Sequence, residues 1–437
     1  MVDTKTSVMN RWWVVVGGIL VQLCLGAIYA WSAFTKKLES DPFSFSKTQT
    51  QVIFSLGLIS FAVVMALVAG NWQKKVGPRK VAITGGIVLG LGYLLAGLSG
   101  SSFWGILIGI GLLGGAGIGL GYVCPIAALV KWFPDKKGLI TGLAVAGFGF
   151  GALIWIKLTS GFVFGPINLT PGWLGLFGMG WTVSKVFTLY GILFAILVIV
   201  GSIPLINPPE GWKPEGWNPP AGAAASATGG RNFNVKEMVK TPQYWILFLT
   251  FAVGAMAGLM VIGIIKQFGM DVLEATGIEK AKADIITGTA MGLFYALLNG
   301  FGRIIWGSAS DKLGRRNSIV LMSLLQGIMM IAFYFLGDKE WGLYLGAAII
   351  GFNFGGNFAL FPAATADYFG NKNVGTNYPW VFMAYGLGGL IGPILGGRMG
   401  DAKAWIWAFI PAGIACIVMG LVSLMLSPPA EKEKSTI

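Results

Sequence analysis

Apolar residues in this chain come in long unbroken runs, with polar and charged residues gathered in short segments between them. A helix needs about 20 apolar residues to cross a bilayer. Twelve runs qualify, at 12–34, 49–69, 81–99, 103–130, 139–159, 184–206, 243–265, 284–308, 317–336, 341–366, 377–397 and 404–426. The pattern predicts an all-α polytopic membrane protein with twelve transmembrane helices. The first run, entered through "MVDTKTSVMNRWW", is too long for a signal-peptide core and lacks a small-residue cleavage site, so it reads as the first membrane helix.

Two segments between runs are longer than the rest. Residues 207–242, "NPPEGWKPEGWNPPAGAAASATGGRNFNVKEMVKT", are rich in Pro, Gly, Ala and Ser and read as a flexible linker. They divide the chain into an N-terminal six-helix bundle (1–206) and a C-terminal six-helix bundle with its tail (243–437). The other, "GPINLTPGWLGLFGMGWT" (165–182), is apolar enough to lie on the bundle, in a structural or a lid role. The halves repeat a loop: "GNWQKKVGPRK" (70–80) follows the second run and "GSASDKLGRRN" (307–317) the eighth. Two related bundles predict a transporter with its site near the midplane between them.

Composition agrees and narrows the function. The chain of 437 residues is 55% hydrophobic and only 11% charged, where soluble chains carry about 25% charged residues. The net charge of +13 lies in the loops, with no folded basic patch, which argues against nucleic acid. With the N-terminus inside, cytoplasmic segments hold 19 Lys/Arg and external ones 11, so both termini are expected on the cytoplasmic side of the cell inner (plasma) membrane, taking a prokaryotic source. Cys24, Cys124 and Cys416 lie inside apolar runs and there is no histidine, so neither a disulfide framework nor a metal site is expected. No cofactor is implied. General acid–base chemistry has no candidate within the spans, which argues against an enzyme.

The run "IITGTAMGLFYALLNGFGRIIWG" (285–307) holds one charge, Arg303. Arginine stays protonated, and placing it in hydrocarbon costs about 3 kcal/mol or more. Asn299 precedes it by one turn on the same face. A guanidinium fork and an amide donor together suit one carboxylate. The competing reading is that Arg303 snorkels toward the surface or pairs with a backbone carbonyl. Tyr29, Tyr122 and Tyr385, in Gly-rich runs, are candidates to present hydroxyls to the same anion. None of the 18 acidic residues falls near the centre of a run, so no proton-relay carboxylate offers itself.

The repeated loop is similar to the cytoplasmic loop of the major facilitator superfamily. There Asp311, paired with a basic residue such as Arg315, would act as a conformational latch; Lys74 stands where the first copy usually has an acid. Together with "KWFPDKKGLITG", "KTPQYW", "NGFGRIIWGSASDKLGRR" and "ALFPAATADYFG", the chain resembles the oxalate/formate exchanger family of that superfamily, near the proton-linked monocarboxylate transporters. The resemblance implies the major facilitator fold with two pseudo-symmetric six-helix bundles, alternating access and small carboxylate substrates. It makes Arg303 the substrate-binding arginine and Tyr29 and Tyr122 pocket tyrosines. Tyr385 stands where the oxalate carrier has a lysine, Phe148, Phe354, Phe358 and Phe382 stand where it has Tyr or Trp, and Ile28 replaces a Gln. One cation in a less polar pocket favours a monocarboxylate such as lactate, pyruvate or propionate over oxalate. Asn299 replaces the acid of the proton-linked carriers. The expected function is a monomeric monocarboxylate transporter working by proton symport, with anion exchange as the alternative. Phe148, Phe354 and Phe358 would shape the tail pocket.

Overall fold

A computed structural model describes residues 9–133, 137–160, 175–209, 212–216, 232–370, 373–427 and 429. The loop at 134–136, most of the 165–182 segment, the linker centre at 217–231 and both chain ends lie outside the described residues. Among the described residues, twelve helices are long and apolar enough to cross a membrane. In chain order they are α1 (Trp12–Leu38), α2 (Lys47–Val76), α3 (Pro78–Leu98), α4 (Phe103–Leu129), α5 (Gly142–Thr159) and α6 (Val183–Ser202). The second half contains α7 (Pro242–Ala275), α8 (Lys280–Leu313), α9 (Arg315–Leu336), α10 (Glu340–Phe369), α11 (Thr376–Asp401) and α12 (Ile406–Met425).

The apolar runs locate each of these twelve helices but understate several. Helices α7 and α8 each run 34 residues, because their polar ends continue as helix past the apolar stretch. Backbone hydrogen bonding does not stop where hydropathy does. The regular winding is interrupted near the molecule's centre. Gly26–Ala30 in α1 tightens to a 3₁₀ turn, and Ala290–Tyr295 in α8 widens to a π turn just before Asn299. The repeated loops share a geometry too: Gly77 and Gly314 sit at φ +83° and +81°, a left-handed conformation that glycine reaches without strain.

Packing repeats between the halves. In the first half α1 packs on α5, α2 on α4, and α3 on α6; in the second α7 packs on α11, α8 on α10, and α9 on α12. Each pair maps onto its counterpart by a shift of six helices. The contacts between halves obey the same rule, α2 against α11 and α8 against α5. The result is two pseudo-symmetric six-helix bundles with α1, α2, α4, α5, α7, α8, α10 and α11 available to line the seam.

Candidate functional site

Arg303 lies on the part of α8 that faces the other half. It meets α5 where two glycines cross: a Cβ on Gly149 would stand 3.1 Å from the Gly300 backbone and 3.2 Å from Arg303 Nε. That absence of side chains lets Arg303 reach across the seam. Its Nη1 donates to the Val145 carbonyl at 2.9 Å, and its Nε donates to Asn299 Oδ1 at 3.2 Å. The guanidinium carbon lies 4.2 Å from the Phe358 ring centre and 5.6 Å from that of Phe148, so a cation–π contact spreads the charge over an apolar wall. Two buried donors remain without a partner in normal hydrogen-bond geometry, Arg303 Nη2 and Asn299 Nδ2.

The structure gathers the seven other substrate-binding candidates around this charge, and none of the eight is more than 2% exposed. Tyr29 packs edge-on against Phe148 at 5.1 Å and Phe354 at 5.6 Å. Its hydroxyl is 3.1 Å from that of Tyr385. Tyr122 meets Phe148 at 5.2 Å, and Phe354 meets Phe358 at 5.2 Å. Tyr385 touches Phe358 at 5.6 Å and stacks on Phe382 at 4.8 Å. The Tyr29 and Tyr122 hydroxyls both lie close enough to the Arg303 guanidinium to interact with it electrostatically and as long hydrogen-bond neighbours. Residues from both halves thus form an aromatic cage with one permanent cation in its wall.

Phe61 and Tyr295 complete the cage. Phe61 lies 5.1 Å from Tyr122 and 5.5 Å from Tyr385. Tyr295 donates its hydroxyl to the Gly258 carbonyl at 3.0 Å and faces Phe354. Phe61 sits in a run of apolar residues where sequence offers no signal to separate it from lipid-facing neighbours. Tyr295 falls two turns before Arg303 on nearly the same face, and that spacing was its only signal.

Asp311 and Arg315 are 2.8 Å apart, and Arg315 Nε also donates to Asp367 at 2.8 Å. All three belong to the second half, where they fasten the α8–α9 turn to the end of α10. Further polar contacts cross between the halves at the other end, the one that charge distribution assigns to the outside. Lys47 of α2 pairs with Asp271 of α7 at 2.5 Å. Asp401 of α11 accepts from the Lys47 and Thr48 backbone N–H groups, each at 3.0 Å. Below them Gln51 donates to the Gly263 carbonyl at 3.0 Å, and Gln267 donates to Glu39. Lys266, on α7, is 7% exposed and paired with Asp284 at 2.9 Å. Among the described residues, Lys266 and Arg303 are the only buried lysine or arginine side chains. No cluster of metal-ligating side chains occurs among them either.

Comparison with known proteins gives this geometry a family. The chain matches the model of the Major Facilitator Superfamily over residues 14–279 and again over 274–437. It is 28% identical over 382 residues to the MFS-type transporter YhjX of Escherichia coli, covering 87% of this chain and 86% of that one. It is 26% identical over 424 residues to the oxalate:formate antiporter of Oxalobacter formigenes, covering 96% and 92%. It is 25% identical over 463 residues to apicoplast pyruvate carrier 1 of Toxoplasma gondii, covering 87% and 82%. The crystal structure of a bacterial homologue of the human lysosomal transporter Spinster superposes with a TM-score of 0.62 at 17% identity, covering 94% and 95%, a likeness of fold.

Proposed function

The chain belongs to the Major Facilitator Superfamily, and on that premise we propose that it is a secondary active transporter of small monocarboxylates, lactate- or pyruvate-like, moved by proton symport through alternating access. The observation that carries this reading is the pair of donors without a hydrogen bond of normal geometry, Arg303 Nη2 and Asn299 Nδ2, one helical turn apart inside the aromatic cage. They offer a carboxylate one charge-assisted and one neutral hydrogen bond. The Tyr29, Tyr122 and Tyr385 hydroxyls assist, and Phe148, Phe354 and Phe358 enclose a short organic tail. A monoanion fits because the other buried cation, Lys266, is already neutralised by Asp284. A dianion would leave one charge uncompensated in a low-dielectric site. Two relatives named for oxalate and formate and for pyruvate agree with a small carboxylate.

The halves that rock are taken as residues 1–206 and 243–437, joined by the 207–242 linker, in a monomer with both termini cytoplasmic in the cell inner membrane. Asp311 and Arg315 would hold the α8–α9 turn rigid during that motion. Anion exchange is the second reading, favoured by the relative named as an oxalate:formate antiporter. Uptake of labelled L-lactate into proteoliposomes separates the two. Uptake driven by an inward proton gradient with no internal anion supports symport. Uptake that requires a preloaded carboxylate supports exchange. No uptake under either condition removes lactate-type substrates from consideration.

A further inference from the structure

Not every buried polar group belongs to the carboxylate site. At the middle of α9, Gln326 is 3% exposed, and neither its Nε2 nor its Oε1 has a partner. On α10, Asn353 is 1% exposed, and its Nδ2 also has none. In the α9–α10 hairpin Phe333 packs against Gly346 and Met322 against Gly356. That antiparallel register sets Gln326 opposite Asn353, with Met322 one turn from Gln326 on the same face. On the other side the Trp306 indole N–H, three residues after Arg303, donates to Asn353 Oδ1 at 3.2 Å.

Leaving such an amide atom unsatisfied in a buried contact costs about 1–3 kcal/mol. Two amide NH2 groups and one amide oxygen share this register, in a polar setting, and a buried water typically makes about three hydrogen bonds. Polar residues at this depth of a bilayer are expensive unless paired. We propose that ordered water occupies the seam between α8, α9 and α10, held by Gln326 and Asn353. By keeping Asn353 turned toward Trp306 it makes Asn353 and Gln326 positioning residues for the helix that carries Arg303. The positioning role rests on the carboxylate reading; the water site does not.

Radiolytic hydroxyl-radical footprinting of the protein in lipid nanodiscs tests the site without substrate. Met322 is 2% exposed and Met65, on α2 of the other half, 1%, so bulk water distinguishes them little. Seam water predicts that Met322 is oxidised at least about fivefold faster than Met65, and equally slowly in a Gln326→Leu/Asn353→Leu/Trp306→Phe triple variant, in which no donor is left without its acceptor. Equal rates in the parent overturn the water site. For the positioning role, Asn353→Leu raises the apparent KM for labelled L-lactate about fivefold, the scale of 1 kcal/mol, and leaves the maximal rate within about twofold. An unchanged KM overturns that role. A parent that transports no lactate overturns the carboxylate reading, while the footprint still decides the water site.

Discussion

Replacing Arg303 by methionine separates a substrate anchor from a structural charge, because the two roles predict opposite patterns. As a structural element Arg303 makes two hydrogen bonds, to Val145 and Asn299, and one cation–π contact with Phe358. Against these stands the cost of holding a guanidinium in the membrane, at least about 3 kcal/mol. Replacing a buried ion pair by apolar residues of similar volume is often neutral or stabilising by about 1–4 kcal/mol, and removing Arg303 leaves no buried carboxylate unpaired, since its partners are a carbonyl and an amide. Arg303→Met is therefore expected to leave the thermal midpoint unchanged or slightly raised, measured by intrinsic tryptophan fluorescence in detergent. The bound carboxylate would lose its charge-assisted bond to Nη2, worth roughly 1.5–3 kcal/mol. That corresponds to a loss of transport efficiency of about 10- to 150-fold. Arg303→Lys keeps the charge without the fork and falls between the parent and the methionine variant. The assay is proton-driven uptake of labelled L-lactate by proteoliposomes. A methionine variant that unfolds several degrees lower yet transports like the parent would refute the reasoning.

Three further outcomes follow from the same geometry. Asn299→Leu removes the second unpartnered donor and should raise the apparent KM about tenfold with little change in maximal rate, read in the same uptake assay. Tyr385→Lys places a cation beside the Tyr29 hydroxyl, now 3.1 Å from its own, and should let oxalate compete with lactate uptake where the parent ignores it. Gly149→Val inserts atoms where a Cβ would already stand 3.1 Å from Gly300. It should abolish transport while the protein still elutes as a folded species, and its crystal or cryo-EM structure should show α5 and α8 spread apart.

Most of the fold is legible in the sequence because hydropathy reports helix number directly, and the repeated loop at 70–80 and 307–317 reports the two-fold repeat. Helix ends are not legible in this way: α7 continues to Ala275 through Lys266, Asp271 and Glu274 because hydrogen bonding carries helix into polar sequence. The same residues explain why the contacts between halves were unreadable. Lys47, Asp271 and Asp401 look like solvated loop charges until the fold brings them together from separations of more than 100 positions. The cage was partly legible. Arg303 and Asn299 announce themselves by cost and spacing, whereas Phe61 has no cost in a membrane and so leaves no trace.

The two readings of Arg303 that the sequence set against each other are compatible in the structure, and the reason lies in the side chain itself. A guanidinium carries five N–H donors in a fixed plane. One at Nη1 goes to the Val145 carbonyl of the opposite half and Nε goes to Asn299, which hold the plane in place, and Nη2 makes no bond of normal geometry. The group is thus anchored to backbone and still able to receive a ligand. A lysine, with three donors rotating about one bond, could not hold one direction for the protein and another for the substrate. The bond to Val145 also joins α8 to α5, so a carboxylate drawing on Nη2 would act on the contact between the halves as well as on the cage. Substrate occupancy and the seam that must open and close in alternating access would then meet at one residue, and this is a physical reason for a transporter to keep an arginine, and only there, in the middle of its eighth helix.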